Sequence, residues 1–291
     1  MSEHNMIRGI SRNGGVIFCG VDSTDMVCEM ERIHETSAVC SAALGRLLTA
    51  ASIMGVMLKN EKDSVTLRVD GKGPAGLVLA VADGRGCVKG YIQNPLVEIP
   101  LRPDGKLDVG GAVGRDGMLG VVRDLGLKEP YVGQVPLVSG EIAEDVTSYY
   151  ATSEQTPTVC ALGVLVNPDL TVSCAGGFMV QLLPGYTEEE ISMLEKNIAA
   201  MPSVTQMLAQ HKTPQQMMEL ALAGFEPEVL DSCRVDYQCD CSLERVERAL
   251  ISMGRSELEH LAEEEPEVEV CCQFCDKKYH IPVRKLLKEL T

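Results

Sequence analysis

The 291-residue sequence predicts an α+β fold in three successive parts. Three observations carry this expectation. Strand-like segments between residues 15 and 182 come in runs and do not alternate strictly with helices, which favours a largely antiparallel sheet. After Pro184-Gly185 the texture changes to short helical segments, each with its own start signal. Six of the twelve cysteines then crowd between residues 233 and 275. The expected division is a mixed α/β domain over 1–185 with a long central helix, a helical linker over 186–231 and a small C-terminal domain over 232–291.

In chain order, Gly15–Val21 reads as a strand and Thr36–Asn60 as the long helix. Val65, Leu67 and Val69 alternate with polar residues, the period of a half-buried strand. Strands are also expected at 77–82, 88–92, 119–123, 131–137, 159–166 and 172–183, and a second helix at 139–152. Turn pairs such as Asp70-Gly71, Asp83-Gly84 and Asp104-Gly105 punctuate them. In the linker, Thr187 with Glu190, Ser203 with Gln206, and Thr213 with Gln216 form three capping boxes. Ile191, Leu194 and Ile198 follow at helical spacing, and five of the 14 methionines lie here: Met193, Met201, Met207, Met217 and Met218. Such methionines fill cores or form adaptable binding surfaces. In the last part, Val235 and Tyr237 alternate into Cys239, Ser242 caps a helix, and Ser256 and Glu259 start another. Val268, Val270 and Cys272 read as a strand whose hairpin partner carries Tyr279 and Ile281.

Composition removes several function classes. Lys plus Arg number 26 against 42 Asp plus Glu, a net charge of −16 with no basic block. That balance argues against non-specific binding to nucleic acid or an anionic membrane. With no Trp and only 4 Phe, stacking platforms for single strands are scarce. The start, Met1-Ser2-Glu3-His4-Asn5, is polar and lacks the apolar stretch of a secretory leader. The long apolar run from Ala38 to Leu58 contains Arg46 and many small residues, so it reads as a buried helix and not a membrane span. A cytoplasmic protein is expected, where thiols stay reduced.

The strong chemical signal is Cys239-Asp240-Cys241 followed by Cys272-Gln273-Phe274-Cys275. Two paired cysteines brought together make a four-thiolate tetrahedral site suited to Zn²⁺. About 60 residues with few large apolar side chains need such a staple. His260 and His280 are possible substitutes, but four cysteines suffice. A filled four-sulfur shell leaves no position for a hydrolytic water, yet thiolates are what oxidants attack. Cys233 and Cys271 are surplus, and Cys19, Cys28, Cys40, Cys87, Cys160 and Cys174 read as small buried hydrophobes. Weaker signals fall away. Gly71–Gly76 fits G-x-G-x-x-G but lies between two strands, and Gly110–Gly114 lacks the Lys-Ser/Thr of a phosphate loop. No G-x-S-x-G or H-E-x-x-H occurs, and none of the five histidines pairs with a nucleophile. No catalytic constellation and no other cofactor site is expected.

The cysteine motifs, Cys239–Arg245 and Cys272–Cys275, resemble the zinc signature of the redox-regulated holdase chaperones, the bacterial 33-kDa heat-shock protein family. Leu44-Gly45-Arg46, Gly90–Pro95, Ser139–Asp145, Ser153-Glu154-Gln155 and Ala175–Gly185 resemble further family motifs, in the expected order. The resemblance implies a non-enzymatic, ATP-independent chaperone whose zinc-bound reduced form is inactive. Oxidant is then expected to form one disulfide within each pair, Cys239 with Cys241 and Cys272 with Cys275, releasing zinc and unfolding the switch. The linker loosens, the protein forms a homodimer, and unfolded client proteins bind the exposed surface. Two rivals remain at this point: a thiol–disulfide oxidoreductase using Cys272 and Cys275, and a purely structural zinc module that binds a protein partner.

Overall fold

The computed structural model describes residues 4–265 and 267–289. In chain order the strands are β1 (Met6–Ser11), β2 (Val16–Asp22), β3 (Ser64–Asp70), β4 (Val78–Asp83), β5 (Val88–Ile92), β6 (Met118–Asp124), β7 (Tyr131–Pro136), β8 (Thr158–Val166), β9 (Val172–Leu182), β10 (Pro227–Cys233), β11 (Glu267–Cys271) and β12 (Lys278–Pro282). The helices are α1 (Thr24–His34), α2 (Ala38–Val56), α3 (Val109–Val113), α4 (Ala143–Thr152), α5 (Glu188–Ala200), α6 (Val204–Ala209), α7 (Pro214–Ala221), α8 (Leu243–Ile251), α9 (Arg255–Glu264) and α10 (Val283–Glu289). They form two compact units, Met1–Tyr237 and Gln238–Thr291.

The α+β expectation holds, with the strands of the first unit divided between two five-stranded sheets. Their orders are β10-β1-β2-β9-β8 and β5-β4-β3-β6-β7, and every ladder is antiparallel. Helix α2 touches β3, β4 and β5 of one sheet and β2, β8 and β9 of the other. All its residues except Ala38 and Arg46 are buried. A helix covered on every side must be apolar all round, which explains why this stretch alone has the length and hydropathy of a membrane span among the described residues. Small residues (Ala, Gly, Ser, Cys and Thr) make up 11 of its 19 positions, which lets both sheets approach closely.

The two glycine motifs that carry no ligand signature hold each other. Gly73 N donates to Val113 O at 2.9 Å and Ala75 N to Ala112 O at 2.9 Å. A Cβ on Gly73 would lie 2.4 Å from the Ala112 carbonyl oxygen, so only glycine lets these backbones meet.

The helix expected from Ser139 begins only at Ala143. The carboxylate of Asp145, fully buried, claims the preceding loop instead. It accepts the backbone N–H groups of Val138 (2.7 Å), Ser139 (3.1 Å), Gly140 (3.3 Å) and Ile142 (3.0 Å). Ile142 is bent to φ 71°, ψ −55°, a γ-turn closed by Ala143 N to Glu141 O at 2.9 Å. That conformation is strained for a β-branched residue and persists because the carboxylate over-determines it. Glu141, displayed by this turn, pairs with Arg46 of α2 at 2.6 Å. Asp145→Ala is expected to take the acceptor from four backbone donors, of which the Gly140 and Ile142 N–H groups are buried, and to lower stability by about 3 kcal/mol or more. A urea melt of the variant checks this; an unchanged midpoint would overturn it.

Residues 186–231 lie within the first unit. All three capping boxes form, with each Ser or Thr hydroxyl accepting the N–H three residues on. Helix α6 packs on β8 and β9, and α7 on β1, β2 and β10, all on one face of the first sheet. Phe18, Phe178, Val180, Leu194, Met207, Met217 and Met218 share this second core. Met207, Met217 and Met218 are fully covered while Met193 is 37% exposed, so in this state the methionines fill a core. The contact is close because the sheet offers glycine. A Cβ on Gly163 of β8 would meet Thr205 Cγ2 at 2.8 Å, and one on Gly20 of β2 would meet Met218 Cγ at 3.2 Å.

The chain then returns as β10, which extends the sheet beside β1. The alternation at Val235 and Tyr237 produces no regular strand. Val235 N donates to Asn5 Oδ1 at 2.8 Å and Asn5 Nδ2 to Val235 O at 2.9 Å, while Tyr237 Oη donates to Gly90 O at 2.8 Å. Val235 is fully buried, so the segment preceding Cys239 is pinned at three points.

In the second unit, β11 and β12 form the expected hairpin, pairing Val270 with Tyr279 and Val268 with Ile281. The core is thin: among the described residues Leu258, Ala262, Tyr279, Ile281, Val283 and Leu286 are its buried apolar side chains. Helix α8 buries no residue completely, and Gly254, shortly after its end, serves as N-cap of α9.

Candidate metal centre

Each cysteine pair is shaped by local backbone chemistry. Just after β11, Cys272 N donates to Lys277 O at 2.9 Å. Asp276 N and Cys275 N both turn back to Cys272 O, at 2.8 and 3.3 Å. Asp276 takes φ 55°, a left-handed position that Asp tolerates well. This tight turn folds Cys272 and Cys275 towards one point. The other pair precedes α8, whose start is defined by Ser242 Oγ accepting Arg245 N at 3.2 Å. The Arg245 guanidinium reaches back to the Asp240 carboxylate and carbonyl, holding the residue between Cys239 and Cys241.

The hairpin and the helix start bring all four sulfurs within 4.8 Å of one another. Cys239 Sγ lies 3.7 Å from Cys272 Sγ, and Cys241 Sγ 3.4 Å from Cys275 Sγ. Zinc–thiolate bonds of 2.3 Å in a tetrahedron require sulfur–sulfur edges of about 3.8 Å. The donor set and its spacing therefore fit Zn²⁺, and they fit a closed site with no vacant position. Among the described residues this is the one group of His, Cys, Asp or Glu gathered closely enough to hold a metal. His260 and His280 are not part of it.

The thiols are unequal. Burial pushes Cys241 up, but hydrogen bonds from Tyr279 and from Cys275, Cys239 and Cys272 outweigh it and bring it down to about 7. Burial pushes Cys275 up to about 11 and pushes Cys239 up as well, with neighbouring thiols adding to the rise in Cys239. Hydrogen bonding thus favours the thiolate form of Cys241. Elsewhere burial is the leading cause raising Cys19, Cys28, Cys40, Cys87, Cys160 and Cys174, so these stay protonated and inert. Three of them, Cys28, Cys87 and Cys160, are only half-buried, less covered than their apolar neighbours suggest.

A family model described as Hsp33 protein matches residues 4–282. The chain belongs to the Hsp33 family. It is 50% identical over 285 residues to the 33 kDa chaperonin of Clostridioides difficile (strain 630), covering 98% of each. It is 44% identical over 281 residues to the 33 kDa chaperonin of Alkaliphilus metalliredigens (strain QYMF), covering 97% of this chain and 96% of the relative. The crystal structure of the 33 kDa chaperonin (heat shock protein 33 homolog) from Thermotoga maritima superposes with a TM-score of 0.90 at 38% identity, covering 99% of both chains.

Within this Hsp33 family chain, Cys239, Cys241, Cys272 and Cys275 stand together, and the two surplus cysteines stand apart. Cys233 closes β10 in the first unit. Cys271 is exposed at the end of β11 and lies outside the sulfur group. One residue that sequence reasoning placed only as a hairpin position also belongs to the centre: Tyr279 Oη donates to Cys241 Sγ at 3.0 Å. Its alternation with Ile281 announced an inward side chain, but nothing in the spacing indicates that a hydroxyl on β12 reaches a cysteine 38 positions earlier.

Proposed function

We propose that this protein is an oxidant-activated, ATP-independent holdase chaperone, with Cys239, Cys241, Cys272 and Cys275 holding one Zn²⁺ in the reduced, inactive state. The observation that carries the reading is a four-sulfur cluster at the centre of a unit whose own core is too thin to fold it. Bound zinc supplies folding energy to residues 232–291. Membership of the Hsp33 family and relatives named chaperonins support the step from switch to chaperone.

Oxidation proceeds within each pair. A peroxide takes two electrons from two thiolates; one S–S bond forms, the O–O bond breaks, and the two oxygens depart as two waters after taking up two protons from solvent. Cys239 joins Cys241 and Cys272 joins Cys275, so four ligands are lost and the switch unfolds. The linker, residues 186–231, then loosens from the 1–185 domain. Its helices are at or below the 12–15 residues that hold alone in water, so they depend on packing. Release uncovers Phe18, Phe178, Val180 and Val16 on the sheet and Leu194, Met207 and Met218 on the helices. Exposed apolar area of this kind binds unfolded chains and favours a homodimer. The protein works in the cytoplasm, where thiols rest reduced.

The test is zinc release and client aggregation measured across a peroxide and temperature series. Zinc release and stoichiometric protection should rise together. Turnover of a disulfide substrate would favour an oxidoreductase, and indifference to peroxide a structural module.

A further inference from the structure

We propose that Tyr279 is a positioning residue of the metal centre, whose hydroxyl, bonded to the Cys241 sulfur, slows attack by oxidants and so sets the threshold of the switch. This rests on the reading of the four cysteines as a zinc site and concerns its regulation.

The geometry makes the hydroxyl a fixed donor. Tyr279 sits in the middle of β12, opposite Val270 of β11. Its ring is 7% exposed within the small core, and the Lys277 ammonium lies 5.1 Å from the ring centroid. From this position Oη lies 3.0 Å from Cys241 Sγ.

Consider what that bond does once metal has replaced the thiol protons. All four sulfurs are then thiolates, so the ionised fraction no longer limits reactivity. What varies is the nucleophilicity of each sulfur, which falls as its electron pair is drawn away. The Tyr279 hydroxyl draws on the pair that would attack a peroxide. In that attack a sulfur–oxygen bond forms, the O–O bond breaks, and the departing oxygen leaves as hydroxide, which takes a proton from solvent to become water. Cys239 then displaces the second oxygen, also as water, and the disulfide closes. Hydrogen bonds to charged groups are also stronger than neutral ones, so the same contact helps retain the ligand. The hydroxyl therefore resists both loss of metal and the first oxidation at Cys241.

Tyr279→Phe removes the hydroxyl and keeps the ring. With one metal per chain bound as a check on folding, peroxide-driven zinc release should be about three- to tenfold faster than in the unaltered protein. Cobalt substitution supplies a readout that packing alone does not move. The thiolate-to-metal charge-transfer band should shift to lower energy in Tyr279→Phe, because an unbonded thiolate gives up an electron more easily. Lys277→Met, which disturbs the other side of the ring and leaves the hydroxyl, should change neither. Equal release rates and an unmoved band in Tyr279→Phe would overturn the role of Tyr279 while leaving the zinc site intact. Failure of the unaltered protein to bind zinc or cobalt would overturn the site and this inference with it.

Discussion

Removing zinc from the reduced protein with a chelator is expected to unfold residues 238–291 outright and to leave the two-sheet unit folded. Zinc contributes roughly 10–16 kcal/mol to small cysteine-rich units, whereas a whole domain is stable by about 5–15 kcal/mol. Among the described residues the second unit has six buried apolar side chains to set against the entropy of its chain, and α8 adds none. The first unit owes nothing to the metal: α2 is covered by both sheets, and its core is continuous through them. Hydrogen exchange with and without chelator measures this. Amides of β11 and β12 should lose protection, and those of β2, β3 and β9 should keep it. Persistent protection of the β11–β12 hairpin after the metal has gone would sink the proposal. The ligand set is tested alongside. Cys239→Ser, Cys241→Ser, Cys272→Ser and Cys275→Ser should each weaken zinc binding sharply, while Cys233→Ser and Cys271→Ser should not. Full affinity in Cys272→Ser would move that ligand to Cys271.

The second large effect is expected from Gly163→Val, which should activate the chaperone without oxidant. The added Cβ would lie 2.8 Å from Thr205 Cγ2, 3.2 Å from Thr205 N and 3.2 Å from Val204 Cβ. Those atoms form the first turn of α6, and backbone cannot rotate aside as a flexible side chain can. Overpacking of this kind costs about 1–3 kcal/mol, which a six-residue helix has no spare stability to absorb. Valine suits a strand, so the β8–β9 ladder should survive. The expected result is a protein that retains its zinc, suppresses client aggregation in the absence of peroxide, and exchanges α6 amides rapidly. A variant with rapid α6 exchange and no holdase activity would mean that clients bind away from the face under the linker. Gly20→Ala offers a graded comparison. Its Cβ would meet mainly the Met218 side chain, which can move, so a weaker effect is expected.

Features controlled by short-range chemistry are legible in the residues alone. The three capping boxes formed where Thr187, Ser203 and Thr213 stand, because a hydroxyl three residues from its N–H partner needs nothing from the rest of the chain. The β11–β12 hairpin and the four-cysteine set were legible for the same reason: alternation and close spacing are local. Membership of the Hsp33 family was legible because its motifs are short and keep their order. Tertiary structure alone decided how distant segments share surfaces. Strand periodicity says which faces are apolar and nothing about which sheet a strand joins, so the division into two sheets around α2 was not readable. Strand β1 and helix α1 passed unmarked, and β10 exists because the edge of β1 was open to pair with it. Asp145 falls inside the helix expected over 139–152, and nothing local marks it as the acceptor for four backbone donors that its burial makes it. Tyr279 looked like a core alternation, and only the fold of β12 beside the start of α8 brings its hydroxyl to Cys241. In each case the deciding interaction spans a separation at which pairing is chosen by burial and packing of the whole chain, and no local pattern encodes it.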